Sequence, residues 1–263
     1  MSYSALKPAY LRDTLSPTAL IDKDEDFSWP NDLSYAYKRV AELILQDTEF
    51  GSYWKLGGTT FLTQKIFNVS TPYFGPLHPK EVFIGCNDNI SMNLIEYKAE
   101  AEIALKLSDN ITISSEAIDN YTDTELFDQA ALCLEMPSSP IHDIPKKGVA
   151  TLVSDRCAAG ALVIAPPISY KRYLAEPFID QIFIRQDKQI ISKGSIDNLV
   201  MKPELCVRSF LKIALENNIT PKAGSWIATG GLTECIPLDL DKKVQLYYNN
   251  QCYLDFSIVG YSC

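Results

Sequence analysis

Tyr97-Lys-Ala-Glu-Ala-Glu-Ile-Ala-Leu-Lys-Leu107 is the stretch on which the fold of this chain turns. Its odd positions, Tyr97, Ala99, Ala101, Ile103, Leu105 and Leu107, are apolar or aromatic, and its even positions hold Lys98, Glu100, Glu102, Ala104 and Lys106. Period-two alternation is the signature of a β-strand. Successive strand side chains point to opposite faces, so Glu100 and Glu102 share a face with their Cα atoms about 6.6 Å apart. Two carboxylates that close raise each other's pKa unless a cation lies between them. Hard oxygen donors on one rigid strand suit Mg²⁺ or Mn²⁺. An amphipathic strand with a solvated acidic face gives the same pattern without a metal, and spacing alone does not separate the two.

The rest of the composition narrows the class. With 263 residues the chain can bury one sizeable core, and 46% hydrophobic with 22% charged residues is ordinary for a globular protein. The formal net charge is −9 and no run of Lys or Arg gathers anywhere, which argues against nucleic acid and anionic membrane as partners. Seven cysteines are scattered without a C-x-x-C pair, as in a reduced compartment. The opening Met-Ser-Tyr-Ser-Ala-Leu-Lys-Pro holds no apolar stretch, so a cytoplasmic location is expected. His78 and His142 are the only histidines, too few for a His-rich metal centre and a poor basis for a Ser–His–Asp device.

Along the chain, residues 1–30 read as an irregular arm, followed by a helix from Asn31 or Asp32 to about Gln46. A short helix is expected to end near Phe67, and Pro72-Tyr-Phe-Gly-Pro76 reads as a turn. Strands are expected at 82–85 and 97–107. Thr122-Asp-Thr-Glu125 reads as a capping box opening a helix to about Ala131, before a short extended stretch from Leu132 to Met136. Further strands are expected at 161–165, 182–185 and 190–192. Pro203 opens an amphipathic helix, and an all-β end follows: 226–228, 244–248, an Asn249-Asn250 turn and 253–259. The class is α+β: a helical N-terminal region, 1–75, on a β-rich core, 76–263.

Several segments, in order, resemble the 2-keto-4-pentenoate hydratase family within the fumarylacetoacetase superfamily. They are Lys55-Leu-Gly-Gly-Thr59, then Gln64 and Pro72-Tyr-Phe-Gly-Pro-Leu77, Glu100-Ala-Glu-Ile-Ala104, Glu135 in Leu132-Cys-Leu-Glu-Met136, Ser154-Asp-Arg-Cys-Ala158 and Gly224-Ser-Trp-Ile-Ala-Thr-Gly230. The resemblance implies a fumarylacetoacetase-type fold with a strand-rich β-roll core and flanking helices. It implies Mg²⁺ or Mn²⁺ held by Glu100, Glu102 and Glu135, a small keto-acid substrate and a homo-oligomer. It places Lys55 beside the substrate, Asp155 as a proton-relay acid, and Thr229 and Gly230 along the site. The implied activity is hydration of a 2-hydroxy-2,4-dienoate. Decarboxylation of an oxalocrotonate-type acid and hydrolysis of an acylpyruvate are the alternatives, the last with His78 as the nearest histidine.

The chain departs from that pattern around the site. Arg156-Cys-Ala158 stands where the family has Asn, a small residue and Ser or Thr, and Met201-Lys-Pro203 where it has Gly-His-Pro. No Arg follows Glu135, and the family's acid after the Gly-x-Leu turn has no clear match in His78-Pro-Lys-Glu81. Arg156 and Lys202 are candidate replacement cations for a second substrate carboxylate. The metal acids are kept while groups that tune the chemistry differ. Weakened turnover, or a binding protein that keeps the metal, is therefore the expected variant of the family behaviour.

Overall fold

The structure is a computed structural model, and it describes residues 31–85 and 88–259. The arm read at 1–30, Cys86 and Cys263 lie outside the described residues. The strands in chain order are β1 (Tyr53–Gly57), β2 (Tyr73–Leu77), β3 (Val82–Ile84), β4 (Asn89–Ser91), β5 (Lys98–Leu107), β6 (Phe127–Met136) and β7 (Ala161–Ile164). They continue as β8 (Ile168–Ser169), β9 (Ile182–Gln186), β10 (Gln189–Gly194), β11 (Trp226–Gly231), β12 (Ile236–Pro237), β13 (Val244–Tyr248) and β14 (Gln251–Val259). One sheet runs β2-β1-β11-β5-β6-β7-β3, with β12 also on β5 and β8 also on β6; a second runs β10-β9-β13-β14-β4.

β5 is the central strand, with β11 and β12 on one side and β6 on the other, all antiparallel to it. Its odd positions Ala99, Ala101, Ile103, Leu105 and Leu107 are fully buried in the main core, as the alternation requires. The even side is not a solvated acidic face. Glu102 and Ala104 are buried there and Glu100 half-buried, against small residues: Ala104, Ala131, Cys133 and Ala228 form a second core with Leu77, Leu162, Ile164 and Trp226. Small side chains there let the sheet curl around its own concave face. The outer face is covered by helices: Tyr37 of the Leu33–Gln46 helix stacks on Phe74 at 4.5 Å, and Phe210 of the Pro203–Glu216 helix meets Trp54 at 5.2 Å and Phe74 at 4.8 Å.

Two readings of the sequence need correction. Pro72–Pro76, read as a turn, lies mostly in β2, which pairs antiparallel with β1, so residues 53–77 supply two strands on either side of the expected short helix, Phe61–Phe67. β2 ends the sheet path, and an edge strand tolerates Pro76 because its outer side makes no ladder bonds. The helix expected from Thr122 to Ala131 is only Asp123–Leu126. Its capping box is present, but the chain then enters β6, whose register with β5 runs from Leu107↔Phe127 to Glu100↔Glu135. Pairing against a buried central strand outweighs the helix propensity of the Gln-Ala-Ala segment. The other expected helices and strands are present within a few residues, and Asn249 and Asn250 both adopt the positive φ of a tight hairpin turn.

β2 and β7 flank the turn Arg156–Ala158, which packs over Gly75. A Cβ on Gly75 would lie 2.1 Å from the Arg156 carbonyl oxygen. Gly75→Ala should therefore destabilise the fold by about 1–3 kcal/mol, since the collision is with backbone rather than a movable side chain. Urea unfolding of the two proteins tests this, and an unchanged midpoint would show that the turn is not seated on Gly75.

Candidate metal centre

Register places the acids before any side chain is considered. Glu100 is directly opposite Glu135 and Glu102 opposite Cys133 in the β5–β6 ladder, so all three carboxylates leave the concave face together. Ligand atoms of Glu100, Glu102 and Glu135 lie within 4.8 Å of one another. Glu102 and Glu135 are fully buried, and Glu100 is half-buried at the edge of the cluster. At that separation each ionised pair costs about 3 kcal/mol at an effective dielectric near 20.

One cation answers part of that charge. Lys55 leaves β1, three strands from β6 along the sheet, yet its Nζ stands 2.7 Å from Glu135 Oε1 because the sheet curls. Burial alone would lower its pKa, but Glu135 and then Glu100 outweigh burial and raise it, so Lys55 is held as the ammonium. A single positive charge leaves the cluster short. Glu100 is pushed up to about 8, by burial first and by Glu135 second, with Lys55 partly offsetting, and the two acids are hydrogen-bonded. Glu102 is raised well above the carboxylate range by burial and then by Glu100 and Glu135.

β11 fits closely around these groups. The Gly230 N–H donates to Glu102 Oε2 at 2.7 Å, and a Cβ on Gly231 would come 2.2 Å from Glu100 Oε2. Gly230 has φ 115, and a side chain there would also strike Thr59 Oγ1. Glu102 Oε1 is buried with no hydrogen-bond partner among the described residues. Three convergent carboxylates, an orphaned carboxylate oxygen and a shortage of positive charge fit a hard divalent cation.

The other expected site residues are dispersed around this centre. Asp155 is buried at the end of the Val149–Ser154 helix and acts on the Cys157 thiol, which also senses Lys55 and Glu135. Burial first of all pushes that thiol up, so Cys157 is no nucleophile. The Thr229 hydroxyl donates to the Ile103 carbonyl at 2.8 Å, pinning β11 to β5. Lys202 is exposed, just beyond Val200, whose N–H bonds the Thr59 carbonyl.

Arg156 differs most from expectation. Its guanidinium makes a two-point ion pair with Glu81, at 2.7 Å and 2.7 Å, lies over the Phe50 ring and is almost fully buried. It is neutralised there, because a planar fork matches a carboxylate better than any single contact. The pair holds Arg156, Cys157 and Ala158, all with positive φ near 55°, in a turn that non-glycine residues rarely adopt. His78 pairs with Glu49 at 2.9 Å, but beyond Leu77, whose partner is Tyr53; the Lys55 end of β2 lies at Gly75. Thr59, Tyr73 and Gly231 border the centre without having been singled out. The Gly230-Gly231 pair closing an apolar strand was the legible signal, whereas Tyr73 was hidden by the turn reading.

No protein-family model matches the chain, and no curated protein does. Solved structures do. The chain is similar to 4-oxalocrotonate decarboxylase from Pseudomonas putida G7, complexed with magnesium and adipate, with TM-score 0.74 and 17% identity over 87% of this chain and 86% of that one. It is also similar to fumarylpyruvate hydrolase from Pseudomonas aeruginosa in complex with Mn²⁺ and pyruvate, with TM-score 0.55 and 11% identity over 79% and 89%. A third likeness is to 5-carboxymethyl-2-hydroxymuconate delta-isomerase from Mycobacterium smegmatis, with TM-score 0.52 and 11% identity over 81% and 80%. The fold is the fumarylacetoacetase type. Among the described residues, no helix is long and apolar enough to cross a membrane.

Two outcomes follow from the electrostatics. Mg²⁺ should raise the melting temperature as its concentration passes the dissociation constant, and Glu102→Ala should remove that rise; an equal rise in the variant would place the ion elsewhere. Glu100 and Glu102 bind protons more tightly in the folded than in the unfolded chain, so their contribution is present below the unfolded carboxylate range and lost as pH rises, that of Glu100 as pH climbs through about 8. Melting in EDTA should thus fall between about pH 5 and pH 9, and excess Mg²⁺ should flatten the fall because the ligands bind it deprotonated. A metal-free protein that grows more stable over that range would contradict the assignment.

Proposed function

We propose that this chain is a Mg²⁺- or Mn²⁺-dependent enzyme acting on a small 2-oxo acid. Within that class we propose a lyase that adds water to a 2-hydroxy-2,4-dienoate, giving a 4-hydroxy-2-oxo acid. The observation that carries the reading is the convergence of Glu100, Glu102 and Glu135 beside a buried lysine. When held by these three acids, the cation supplies Lewis acidity toward the carboxylate and 2-oxo oxygens of the substrate.

The chain's own residues then divide the work. Lys55 stays protonated, so it serves as the cation for the substrate carboxylate rather than as a base, exchanging Glu135 for the incoming anion. Gly230 fixes Glu102 through its N–H, and Thr229 locks the strand that carries it. Asp155 takes the proton-relay role from its buried position next to the turn. We assign Arg156 to positioning that turn, since its guanidinium is committed to Glu81; Lys202 is then the cation left for a longer substrate's distal group. The relay asparagine of the family pattern is absent, so turnover of the dienoate should be slow.

A second reading, decarboxylation of a vinylogous β-keto acid, is favoured by the TM-score of 0.74 to 4-oxalocrotonate decarboxylase. The same three acids and Lys55 serve both. The hydrolase reading draws less support, because the His78–Glu49 pair stands at the far end of β1 and β2.

The Mg²⁺-loaded protein should hydrate 2-hydroxypenta-2,4-dienoate slowly, with activity abolished by EDTA. Lys55→Met should weaken oxalate binding tenfold or more while leaving Mg²⁺ binding within about twofold, as expected for a lost charge-assisted contact. CO₂ release from an oxalocrotonate-type acid without hydration would move the assignment to the second reading. Silence on both substrates, with oxalate still bound, would make this a binding protein.

A further inference from the structure

Tyr73 carries a buried hydroxyl that neither the metal centre nor the expected site residues account for. It is directly opposite Gly57 in the β1–β2 ladder, so its side chain leaves the sheet on the same face as Gly57 and, two residues away, Lys55. The ring lies flat across two glycines. A Cβ on Gly57 would stand 2.2 Å from Tyr73 Cε2 and 2.9 Å from its hydroxyl oxygen, and a Cβ on Gly58 would stand 3.0 Å from the ring. Phe67, at 5.7 Å between ring centroids and edge-on, closes the ring from the other side. The Gly57-Gly58 pair is thus a cradle shaped for this one phenol, which is 4% exposed.

The phenol is also oriented. The Gly58 N–H donates to its oxygen, which leaves the phenolic proton to be given to something else. Burial first, and then the neighbouring Cys157 and Glu100, push the phenol well above its ordinary range, so it is a neutral donor at any physiological pH. A neutral donor on the same face as an ammonium suits a carboxylate with two oxygens: Lys55 supplies charge, and a second group supplies direction.

Building on the proposed function, we propose that Tyr73 is a further substrate-contacting residue, donating its phenolic hydrogen bond to the carboxylate end of the 2-oxo acid that Lys55 binds. No bond is made or broken at Tyr73 in this role.

Oxalate is the probe, titrated into the full-length, Mn²⁺-loaded protein by calorimetry. Tyr73→Phe keeps the ring in its cradle and removes only the hydroxyl. It should weaken oxalate binding about tenfold, as for a hydrogen bond to a charged acceptor, with Mn²⁺ affinity and melting temperature nearly unchanged. Oxalate should also perturb the tyrosine absorption of the wild type, and that difference spectrum should vanish in Tyr73→Phe. Unchanged oxalate affinity in the variant, or parallel loss of Mn²⁺ and oxalate binding, would overturn the proposal while leaving the metal reading intact. A wild type that binds Mn²⁺ but shows no tyrosine perturbation overturns it without any variant. A wild type that binds no Mn²⁺ ends both readings.

Discussion

The curled sheet gathers three carboxylates in one concavity with, among the described residues, Lys55 as their paired ammonium, and the rest of the structure is arranged around that imbalance. Like charges within 4.8 Å of each other cannot all ionise in a buried place unless something positive joins them. Lys55 meets part of the demand across three strands of sheet, at 2.7 Å from Glu135. Protons can meet the remainder, which is why Glu100 and Glu102 are shifted upward. A divalent cation would meet it better, since it would also satisfy the Glu102 oxygen left without a partner. The proton load and the readiness for metal are two expressions of one electrostatic deficit.

That deficit can exist only because the sheet makes the space for it. The concave wall is lined by Ala104, Ala131, Ala228 and Cys133, and small side chains allow the strands to bend inward where bulky ones would hold them apart. The convex side carries the large residues: Trp54, Phe74 and Phe210 pack there against one another and the flanking helices. Burial of large residues on the outside, and of Leu77, Leu162, Ile164 and Trp226 with the small ones on the inside, sustains a costly cluster of acids.

The departures from the family pattern also resolve into local physics. Arg156 has an acid to match it, Glu81, and the two form one part-buried pair that ties the Arg156–Ala158 turn to the segment just beyond β2. The turn in turn rests on Gly75, opposite Lys55. A replacement that looks in the sequence like a new substrate cation is therefore a structural tie, one step removed from the lysine. Fold likeness at 17% identity does not reveal the ion pair.

The sequence alone determined the strand that carries Glu100 and Glu102 and the single face they share. It also determined most flanking elements, because period-two and 3.6-residue patterns and caps such as Asp32 act locally. It did not determine that the even face of β5 is buried, since alternation between Glu and Ala reads the same whether water or a curled wall lies opposite. Read locally, β2 is a turn and the first half of β6 is helix, because the pairing that makes them strands comes from residues tens of positions away. Glu135 opposite Glu100, Lys55 reaching Glu135, Arg156 claimed by Glu81 and Tyr73 laid over Gly57-Gly58 are all long-range. Only the tertiary structure could decide these contacts, because charge and shape complementarity act through space and leave no period in the chain.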